Sequence, residues 1–322
     1  MADGTKTATR RGIMFVSKGK AEFIEEPMVA CDTESMLLQT LYSGLSNGTE
    51  RNVLLGGNYG GSWPSRCGYQ CVSRVIEVGA RISGFHAGDI VYTGTFPGHV
   101  PYHTARETDL IIKLPGDIDL RHAALFGVAT VPIHDIRRAN ISIDDQVLVV
   151  GAGVVGQFAA QAARVVGANV TVVDLDDARL ALARELGADT IINIGTAAGQ
   201  AQLQANKPYS TVIECSGGDV LDMLIGGKSG AGVIGYRARV LIIAGRQDVC
   251  YNFNAGQNTE IAVLQAGHFT QIDLEHVLRL MRKGAIRIQP LLKDLVPIAE
   301  AIRIYDQLRD QPNTLLGTVF QW

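Results

Sequence analysis

Three glycines near the middle of the chain follow each other at a spacing that has a chemical meaning. Gly151, Gly153 and Gly156 form a GxGxxG pattern in VVGAGVVGQF, directly after an apolar run and at the opening of a helical pattern. The first glycine permits a tight turn, the second lets the backbone approach a pyrophosphate, and the third lets the helix pack against the strand. Val154 and Val155 open the helix, whose N–H groups and dipole favour phosphates. These residues are therefore predicted to bind a dinucleotide.

An acidic residue follows at the end of the next apolar run, NVTVVD, which ends at Asp174. A carboxylate at this place accepts hydrogen bonds from the ribose hydroxyls and repels a 2′-phosphate, so NAD is predicted as the cofactor rather than NADP. The structural alternative for Asp174 is capping of the following helix, although Asp176 and Asp177 are also placed to cap it. Arg179 is a further cofactor-binding candidate, because an arginine nearby can hold a 2′-phosphate.

The glycine pattern lies in a region where strands and helices alternate. After residue 122, helical or loop segments separate apolar strand segments: QVLVVG, NVTVVD, TIINIG, STVIEC and RVLIIAG. Such strands predict a parallel sheet covered on both faces. Before residue 122, short β-branched segments alternate with turn residues, which predicts a mostly β domain. Two amphipathic helices, within 273–284 and 299–310, and a strand in LLGTVFQW close the chain.

The composition is that of a globular protein of two domains. With 322 residues, of which 47% are hydrophobic, the chain is too long for one small core and can fill its interior without disulfides. The net charge of −3 indicates neither nucleic acid nor an anionic membrane as a partner. No segment has the pattern of a signal peptide or a membrane span, so a cytoplasmic location is expected.

Several segments together resemble the medium-chain dehydrogenase/reductase superfamily. They are VIEVGARISGFHAGDIVY, AALFGVATVPIHDI, the glycine pattern and ELGAD, and the resemblance runs over nearly the whole chain. It implies an α/β protein in which a GroES-like β-rich catalytic domain, residues 1–124 and 269–322, is interrupted by a Rossmann domain with a doubly wound parallel sheet, residues 125–268. It also implies an active site in the cleft between them, and a homodimer through the Rossmann sheet edge, for which EIAVLQAG is the candidate strand. Within the superfamily, SGLSNGTER and GYQ are most similar to the bacteriochlorophyllide a dehydrogenases, which oxidise a hydroxyethyl side chain.

Zinc-dependent members of the superfamily take catalytic ligands from three places, and this sequence offers none of them. The first loop has Ser46 where a Cys is expected, the second place reads Gly68-Tyr69-Gln70 instead of a His-Glu pair after Gly, and the third has Phe126 and Gly127. Catalytic zinc needs three protein ligands. The resemblance therefore implies an enzyme without a catalytic metal, and the four-Cys structural zinc lobe is missing as well.

Three other residues of types that can bind a metal lie close together in the sequence. Cys67 and Cys71 flank the Gly-Tyr-Gln turn, and His86 follows. The spacing is poor for a metal and no fourth ligand is present, so two small buried thiols are the favoured interpretation.

Hydride transfer to a carbonyl carbon puts negative charge on the carbonyl oxygen. Without a metal, a side chain must donate a proton or a hydrogen bond to that oxygen. Tyr69 is the best candidate, because a phenol can protonate an alkoxide and a neighbouring cation could lower its pKa towards neutrality. Ordinary aromatic packing is its alternative role. Ser46, Thr49 and Asn47 can donate hydrogen bonds to the substrate oxygen or relay a proton, with loop capping as the alternative. Gln70 can orient the substrate but cannot titrate.

Five further residues are assigned by the same resemblance. Glu50 and Arg51 are expected to pair with each other or to lie near the cofactor. His99, in GTFPGHVPYH, is a candidate substrate residue, although a loop histidine is commonly just exposed. Thr130, in GVATVP, corresponds to a position beside the nicotinamide, and Gly245 would let the nicotinamide lie close to the backbone.

These features support three functions. The first is a metal-independent NAD-dependent dehydrogenase or ketoreductase acting on a secondary alcohol or ketone, with a small-molecule substrate. The second is a zinc-free quinone or enoyl reductase, whose relatives usually prefer NADPH. The third is a non-catalytic NAD-binding sensor. Aromatic residues in the loops of the first domain fit a ring-bearing substrate, or else shield the seam between domains: Tyr59, Trp63, Phe96 and Tyr102.

Overall fold

The computed structural model describes residues 8–227 and 230–322. The described chain forms two compact units. One comprises the residues up to Gly127 together with Leu291–Trp322, and the other comprises Val128–Pro290.

The strands of the described residues, in chain order, are β1 Thr9–Ser17, β2 Lys20–Pro27, β3 Met36–Gly44, β4 Cys71–Val78, β5 Ile90–Thr93, β6 Tyr102–Ala105, β7 Ile111–Lys113, β8 Gln146–Val150, β9 Asn169–Asp174, β10 Thr190–Asn193, β11 Tyr209–Glu214, β12 Gly226–Gly227, β13 Gly230–Ala231, β14 Ile234–Ile242, β15 Ala262–Gln265, β16 Leu292–Pro297 and β17 Gly317–Gln321. The α-helices are α1 Asn47–Leu55, α2 Leu120–Ala123, α3 Phe126–Arg138, α4 Val154–Val165, α5 Asp177–Glu185, α6 Ala197–Ala205, α7 Leu221–Ile225, α8 Phe253–Thr259, α9 Gln271–Arg282 and α10 Ala301–Asp310. None of these helices combines the length and the apolar character that crossing a bilayer requires.

The first unit is built on a mixed sheet of seven strands. Its order is β16-β17-β3-β4-β5-β7, with β6 also paired to β3, and only the β16–β17 pair is parallel. The hairpin β1–β2 forms a separate small sheet. A core of large side chains, including Phe15, Leu54, Tyr305 and Phe320, joins the hairpin, α1, α10 and the last strand. The mostly β character expected of this part of the chain is confirmed.

Residues 47–55, which the sequence analysis treats as a loop, form helix α1. Ser46 is its N-cap residue, and the helix ends at Gly56, whose φ of 72° is left-handed and favours glycine. Val53 and Leu54 bury one side of the helix. The two glycines that follow residue 55 indicate the end of a helix. The polar residues at the start of the segment, however, do not show the apolar spacing that predicts one.

The second unit contains a six-stranded sheet in the order β10-β9-β8-β11-β14-β15, and every pairing in it is parallel. This is the doubly wound order, with its switch between β8 and β11. β8 is almost wholly buried, as a strand covered on both faces must be. The predicted fold class, a GroES-like β-rich domain plus a Rossmann sheet, is confirmed. The segment EIAVLQAG supplies the edge strand β15, and a homodimer through this edge stays a prediction.

The division of the chain differs from the predicted boundaries, mainly at the second one. The return to the first unit lies at Leu291 instead of residue 269, because α9 packs within the second unit. Asp273 on α9 lies 2.8 Å from His134 Nδ1 and also pairs with Arg137, both on α3. The backbone N–H of Arg287 donates to Gln161 on α4 at 2.7 Å. These long-range polar contacts cannot be read from the amphipathic pattern of the helix.

Asp135 is a buried acid on α3. It is 2% exposed, and its Oδ2 atom has no hydrogen-bond partner among the described residues. Burial, followed by the negative charge of Asp273, raises the pKa of Asp135 to about 8. An acid whose folded pKa is raised contributes most stability below its unfolded pKa, near 4, and that contribution is lost as the pH rises towards the folded pKa.

We predict that replacing Asp135 by Asn removes a pH dependence of stability. The free energy of unfolding of the wild type should fall from about pH 5 to about pH 8, because the unfolded chain releases a proton that the folded chain retains. Asp135→Asn should show a flatter profile and be about 1–3 kcal/mol more stable than the wild type at about pH 8. Urea unfolding at several pH values measures both, with exposed Asp144→Asn as the control. Parallel profiles for the wild type and Asp135→Asn would contradict this assignment.

Candidate active site

Two residues that the sequence analysis selected separately lie together in the first unit. Ser46 precedes α1, and Tyr69 precedes β4. The Ser46 Oγ and Tyr69 hydroxyl oxygen atoms are 3.1 Å apart, and either can be the donor. Both side chains are 5% exposed. The fold therefore forms a buried pair of hydroxyl groups at the position predicted for acid–base chemistry.

The charge that acts on Tyr69 is negative, whereas a neighbouring cation would have lowered the pKa of its phenol. Burial raises the pKa of its phenol well above the usual range, and the negative charge of Glu50 adds to this effect. The hydrogen bond with Ser46 opposes it only in part. Tyr69 therefore remains a protonated phenol at neutral pH, which suits a proton donor better than a base.

Glu50 is a fully buried carboxylate behind this pair. Its Oε1 atom accepts a hydrogen bond from the backbone N–H of Ser46 at 2.8 Å. Its Oε2 atom lies 3.1 Å from His99 Nε2 and accepts a hydrogen bond from the Tyr305 hydroxyl at 2.6 Å. Glu50 thus contacts Ser46, His99 and Tyr305, whereas Arg51 contacts the end of α10, so the two residues do not pair with each other. The other expectation, that they lie near the cofactor, stays a prediction.

His99 lies inside the first unit and not at its surface. The residue is 0% exposed, and its Nδ1 atom is 2.8 Å from Ser43 Oγ. Ser43 Oγ also accepts a hydrogen bond from Trp322 Nε1 at 2.9 Å. The turn at Gly68 leaves room for the imidazole, since a Cβ atom there would lie 2.9 Å from the ring. With both nitrogens engaged, His99 supports the site from behind and does not face a substrate.

The other polar residues of this region are held by backbone groups. Asn47 donates to the carbonyls of Leu315 and Leu316 at 3.2 and 3.0 Å, which ties the start of α1 to the approach of β17. Gln70 is fully buried, with its amide 3.4 Å from the Gly44 carbonyl.

Thr49 and Arg51 lie further along α1. Thr49 is half-buried in the first turn. Arg51 donates to the carbonyls of Leu308 and Arg309 at the end of α10, so its role in this unit is structural.

The residues at the predicted zinc positions do not fit a zinc ion. Ser46 and Tyr69 supply hydroxyl groups, not thiolate or imidazole ligands. At the third position, Phe126 offers no ligand atom, and a Cβ atom on Gly127 would lie 2.7 Å from Tyr69 Cε2 and 2.8 Å from Gln70 Cγ, so no ligand side chain can extend from residue 127. Within the described parts of the chain, no group of three or more His, Cys, Asp or Glu side chains could hold a metal ion.

The alternative cysteine group is not assembled either. Cys67 and Cys71 are buried and unpaired, whereas the His86 side chain is 77% exposed. Burial raises the pKa of the Cys71 thiol to about 12 and that of Cys67 further, so both remain protonated. The interpretation as buried thiols fits this geometry.

Two of the four loop aromatics accompany Tyr69. The Phe96 ring centroid is 5.4 Å from that of Tyr69, and Phe96 is 64% exposed. Tyr59 is 53% exposed and close enough to raise the pKa of Tyr69 slightly. Trp63 packs against the core of the first unit. The carbonyl of Tyr102, for its part, accepts a hydrogen bond from Arg10.

The glycine turn of the second unit has the geometry that its spacing predicts. Gly151 has a φ of 93°, in the region that favours glycine. A Cβ atom on Gly156 would lie 1.8 Å from the Gly151 carbonyl oxygen, so α4 and the turn touch. Gly153 is the N-cap of α4, and no heavy atom lies within 4 Å of the place of its Cβ. Val154 is buried and Val155 half-buried at the start of α4.

Asp174 ends β9 and contacts the glycine turn directly. Its carboxylate accepts hydrogen bonds from the backbone N–H groups of Ala152, Leu175 and Asp176, at 2.5, 2.7 and 3.0 Å. Capping of α5 is performed by Asp176, which accepts from Ala178 and Arg179. Asp174 therefore combines a structural role with a position at the carboxyl end of β9, where a ribose is expected.

The remaining cofactor candidates lie on α3 and after β14. Thr130 is fully buried on α3, and Gly245 is exposed beyond the end of β14. Glu214 was not among the residues predicted from the sequence. It is a buried carboxylate at the end of β11, which pairs with Arg246 and accepts hydrogen bonds from the N–H groups of Ser216 and Gly217. The sequence feature that could have identified it is a charged residue near the end of the otherwise apolar segment STVIEC. Gly217, Gly218 and Arg246 line a cavity of about 210 Å³.

Comparisons with known proteins agree with this architecture. The sequence profile of the zinc-binding dehydrogenase family matches residues 154–279. L-idonate 5-dehydrogenase of Vitis vinifera is 31% identical over 47% of this chain and 49% of its own length. 2-Dehydro-3-deoxy-L-galactonate 5-dehydrogenase of Pseudoalteromonas atlantica is 28% identical over 64% of this chain and 60% of its own. The chain thus spans about half to 60% of the length of these curated relatives.

Solved structures resemble the chain over nearly its whole length. An oxidoreductase/dehydrogenase of unknown specificity from Escherichia coli has a TM-score of 0.86 at 19% identity, covering 98% of this chain and 99% of the other. Two others, both with a TM-score of 0.82, cover 98% of this chain and 99–100% of their own. They are a short chain alcohol dehydrogenase from Escherichia coli CFT073 solved with NADH, 16% identical, and a protein from Sinorhizobium meliloti 1021 solved with NADP, 17% identical. At these identities the likeness concerns the fold. Membership of the medium-chain dehydrogenase/reductase superfamily stays a prediction, which the match of residues 154–279 to the zinc-binding dehydrogenase profile supports for that part of the chain.

Proposed function

We propose that this protein is a metal-independent oxidoreductase that transfers a hydride between NAD(H) and a secondary alcohol or ketone. The observation that carries the proposal is the buried Ser46–Tyr69 hydroxyl pair, which occupies the place of the zinc ligands, with Tyr69 packed against Gly127. Hydroxyl groups can donate to a developing alkoxide without a Lewis acid. The named relatives are dehydrogenases, which supports chemistry on an alcohol.

The second unit would supply the cofactor site. Gly153 has open space where a pyrophosphate can approach, and the N-terminus of α4 follows it. Asp174 would accept a hydrogen bond from the ribose in addition to its three backbone partners, and this favours NAD over NADP. The solved structures with NADH and NADP support a nicotinamide dinucleotide as the class of cofactor. Such a cofactor, when bound, supplies or accepts the hydride.

The first unit would handle the proton. As a carbonyl carbon is reduced, its oxygen gains negative charge, and the phenol of Tyr69 donates a proton to it. Ser46 then donates a hydrogen bond to the phenolate, which regains its proton from solvent. In alcohol oxidation the same steps run in reverse, with the Tyr69 phenolate as the base, and the raised pKa of the phenol keeps that phenolate scarce at neutral pH.

The substrate is proposed to carry a ring. Phe96 and Tyr59 are large exposed aromatic residues on two loops that both approach Tyr69. Aromatic side chains in such positions contribute to binding by stacking on planar apolar groups. A branch resembling the bacteriochlorophyllide a dehydrogenases would fit this substrate class.

Measurements of the reaction product and of turnover distinguish two other functions from the proposed one. A quinone or enoyl reductase needs only hydrogen bonds to the carbonyl of its substrate, and the Ser46–Tyr69 pair could supply them. Reduction of an enone at C=C rather than at C=O would identify it. A non-catalytic NAD sensor would bind the dinucleotide with no turnover of any carbonyl compound or alcohol.

We predict that NADH binds at least about tenfold more tightly than NADPH, because Asp174 repels a 2′-phosphate. Fluorescence titrations with both cofactors measure this. A preference for NADPH would contradict the role of Asp174 and favour the C=C reductase.

A second prediction uses two glycines of the same turn. Gly156→Ala should lower the melting temperature by several degrees, because its Cβ would lie 1.8 Å from a carbonyl oxygen. Gly153→Ala should fold normally, since its φ of −66° suits alanine and the space around it is open. It should nevertheless bind NADH at least about tenfold more weakly, because the methyl group fills the place of the phosphate. Wild-type NADH affinity in Gly153→Ala would show that the turn does not hold the pyrophosphate.

For the chemical step, Tyr69→Phe is predicted to lower kcat for the reduction of acetophenone by NADH by about 10²–10⁴-fold. The KM for NADH should not change. Ser46→Ala should lower the same kcat about tenfold, since it removes one hydrogen bond. Because burial raises the pKa of Tyr69, the wild-type kcat should not fall through Tyr69 ionisation below about pH 10.

The control for Tyr69→Phe is Tyr92→Phe, which removes another buried phenol oxygen outside the pair. Metal analysis of the same wild-type sample should find less than about 0.1 zinc per chain, given that catalytic zinc requires three ligands. Stoichiometric zinc whose removal abolishes turnover would refute the metal-independent mechanism. Equal losses of kcat in Tyr69→Phe and Tyr92→Phe would show that Tyr69 is not the proton donor of the mechanism.

A further inference from the structure

Helix α1 begins in an unusual way. Ser46 is its N-cap, yet the Ser46 side chain makes no capping hydrogen bond. A serine at this position normally accepts from an N–H of the first turn. Here its hydroxyl lies against Tyr69, and Glu50 reaches back to the N–H of Ser46 at 2.8 Å. Glu50 thus secures the start of the helix and leaves the Ser46 hydroxyl for Tyr69.

Glu50 is itself fixed by two residues from distant parts of the chain. The Tyr305 hydroxyl donates to Oε2 at 2.6 Å, and His99 Nε2 lies 3.1 Å from the same atom. All three residues are at most 1% exposed. An unpaired buried carboxylate would be costly, so these donors hold the side chain in one orientation.

The hydrogen-bond partners on both sides of His99 together favour one tautomer. Trp322 Nε1 can only donate, and it donates to Ser43 Oγ at 2.9 Å. Ser43 Oγ can in turn donate its own proton to His99 Nδ1 at 2.8 Å. A carboxylate can only accept, so the arrangement that satisfies both contacts of the ring has its proton on Nε2, facing Glu50.

We propose that Glu50 and His99 are positioning residues, which hold Ser46 so that its hydroxyl stays in contact with the Tyr69 phenol. They act on orientation and exchange no proton with the substrate. The inference rests on the proposed function for its effect on catalysis, but the geometry that it describes can be measured without turnover.

Glu50→Gln and Glu50→Ala distinguish positioning from proton transfer. The Gln carbonyl can accept from Ser46, while its NH₂ group can donate to His99 Nε2 and to the Tyr305 oxygen. Glu50→Gln should therefore keep kcat for acetophenone within about threefold, whereas Glu50→Ala should lose at least about tenfold with an unchanged KM for NADH. If Glu50 instead takes part in proton transfer, kcat will fall as much in Glu50→Gln as in Glu50→Ala.

Nitrogen NMR of ¹⁵N-histidine-labelled protein gives a readout independent of activity. His99 should be the Nε2–H tautomer in the wild type and the Nδ1–H tautomer in Glu50→Gln, because the new NH₂ group can only donate. An unchanged tautomer in a folded Glu50→Gln protein would overturn the inference. Since Gln is nearly isosteric with Glu, this test remains available even where Glu50→Ala does not fold.

A matched histidine pair controls for loss of stability. His99→Leu and His103→Leu each remove a buried imidazole, and His103 contacts Thr40 and Thr93 instead of Glu50. Both variants should lose melting temperature, but only His99→Leu should lower kcat, by about tenfold. Equal losses of kcat would reduce His99 to a structural residue and contradict the inference.

The proposed function can fail separately. If the wild type reduces no carbonyl compound, the ¹³Cζ shift of labelled Tyr69 replaces kcat as the readout. It should match the wild type in Glu50→Gln and move in Glu50→Ala. A Tyr69 shift identical in all three proteins would refute the positioning role itself.

Discussion

The first unit depends on the satisfaction of one buried carboxylate. Glu50 has no contact with solvent, and an ion in that position is tolerated only when hydrogen-bond donors surround it. Its donors come from Ser46, His99 and Tyr305, in three segments that are far apart in the sequence. α1, the loop before β6 and α10 therefore all contribute to holding the carboxylate beside the Ser46–Tyr69 pair. This explains why residues near the C-terminus contribute to a site built on the early strands.

The second unit depends on a steric constraint instead. α4 approaches the turn after β8 so closely that only a hydrogen atom fits at Gly156. The same approach brings the N–H of Ala152 to the Asp174 carboxylate, so the turn, the helix and the end of β9 form one rigid element. A phosphate-binding turn needs its N–H groups fixed before the ligand arrives, because ordering them on binding would reduce the affinity.

The sequence was informative where local pattern decides the structure. The apolar strands β8, β9, β11 and β14 and the glycine spacing predicted the parallel sheet and its turn, since burial on both faces leaves a continuous apolar signal. Helix α1, the burial of His99 and the partners of Glu50 were not predictable in this way. Helix α1 was missed because its first residues are polar, whereas the burial of His99 and the contacts of Glu50 with His99 and Tyr305 join residues about 50 to 255 positions apart, which no periodicity records. The negative charge of Glu50 close to Tyr69 was not predictable for the same reason.

Gly127 and Tyr69 are coupled by one packing arrangement. The Tyr69 ring lies where a side chain at residue 127 would extend, so a ligand side chain there and the phenol at 69 exclude each other. A larger residue at 127 would clash with the ring, and removal of the ring would leave a void, and both changes are destabilising. Under the proposed function, Gly127 therefore supports Tyr69 as the proton donor although it has no reactive group of its own.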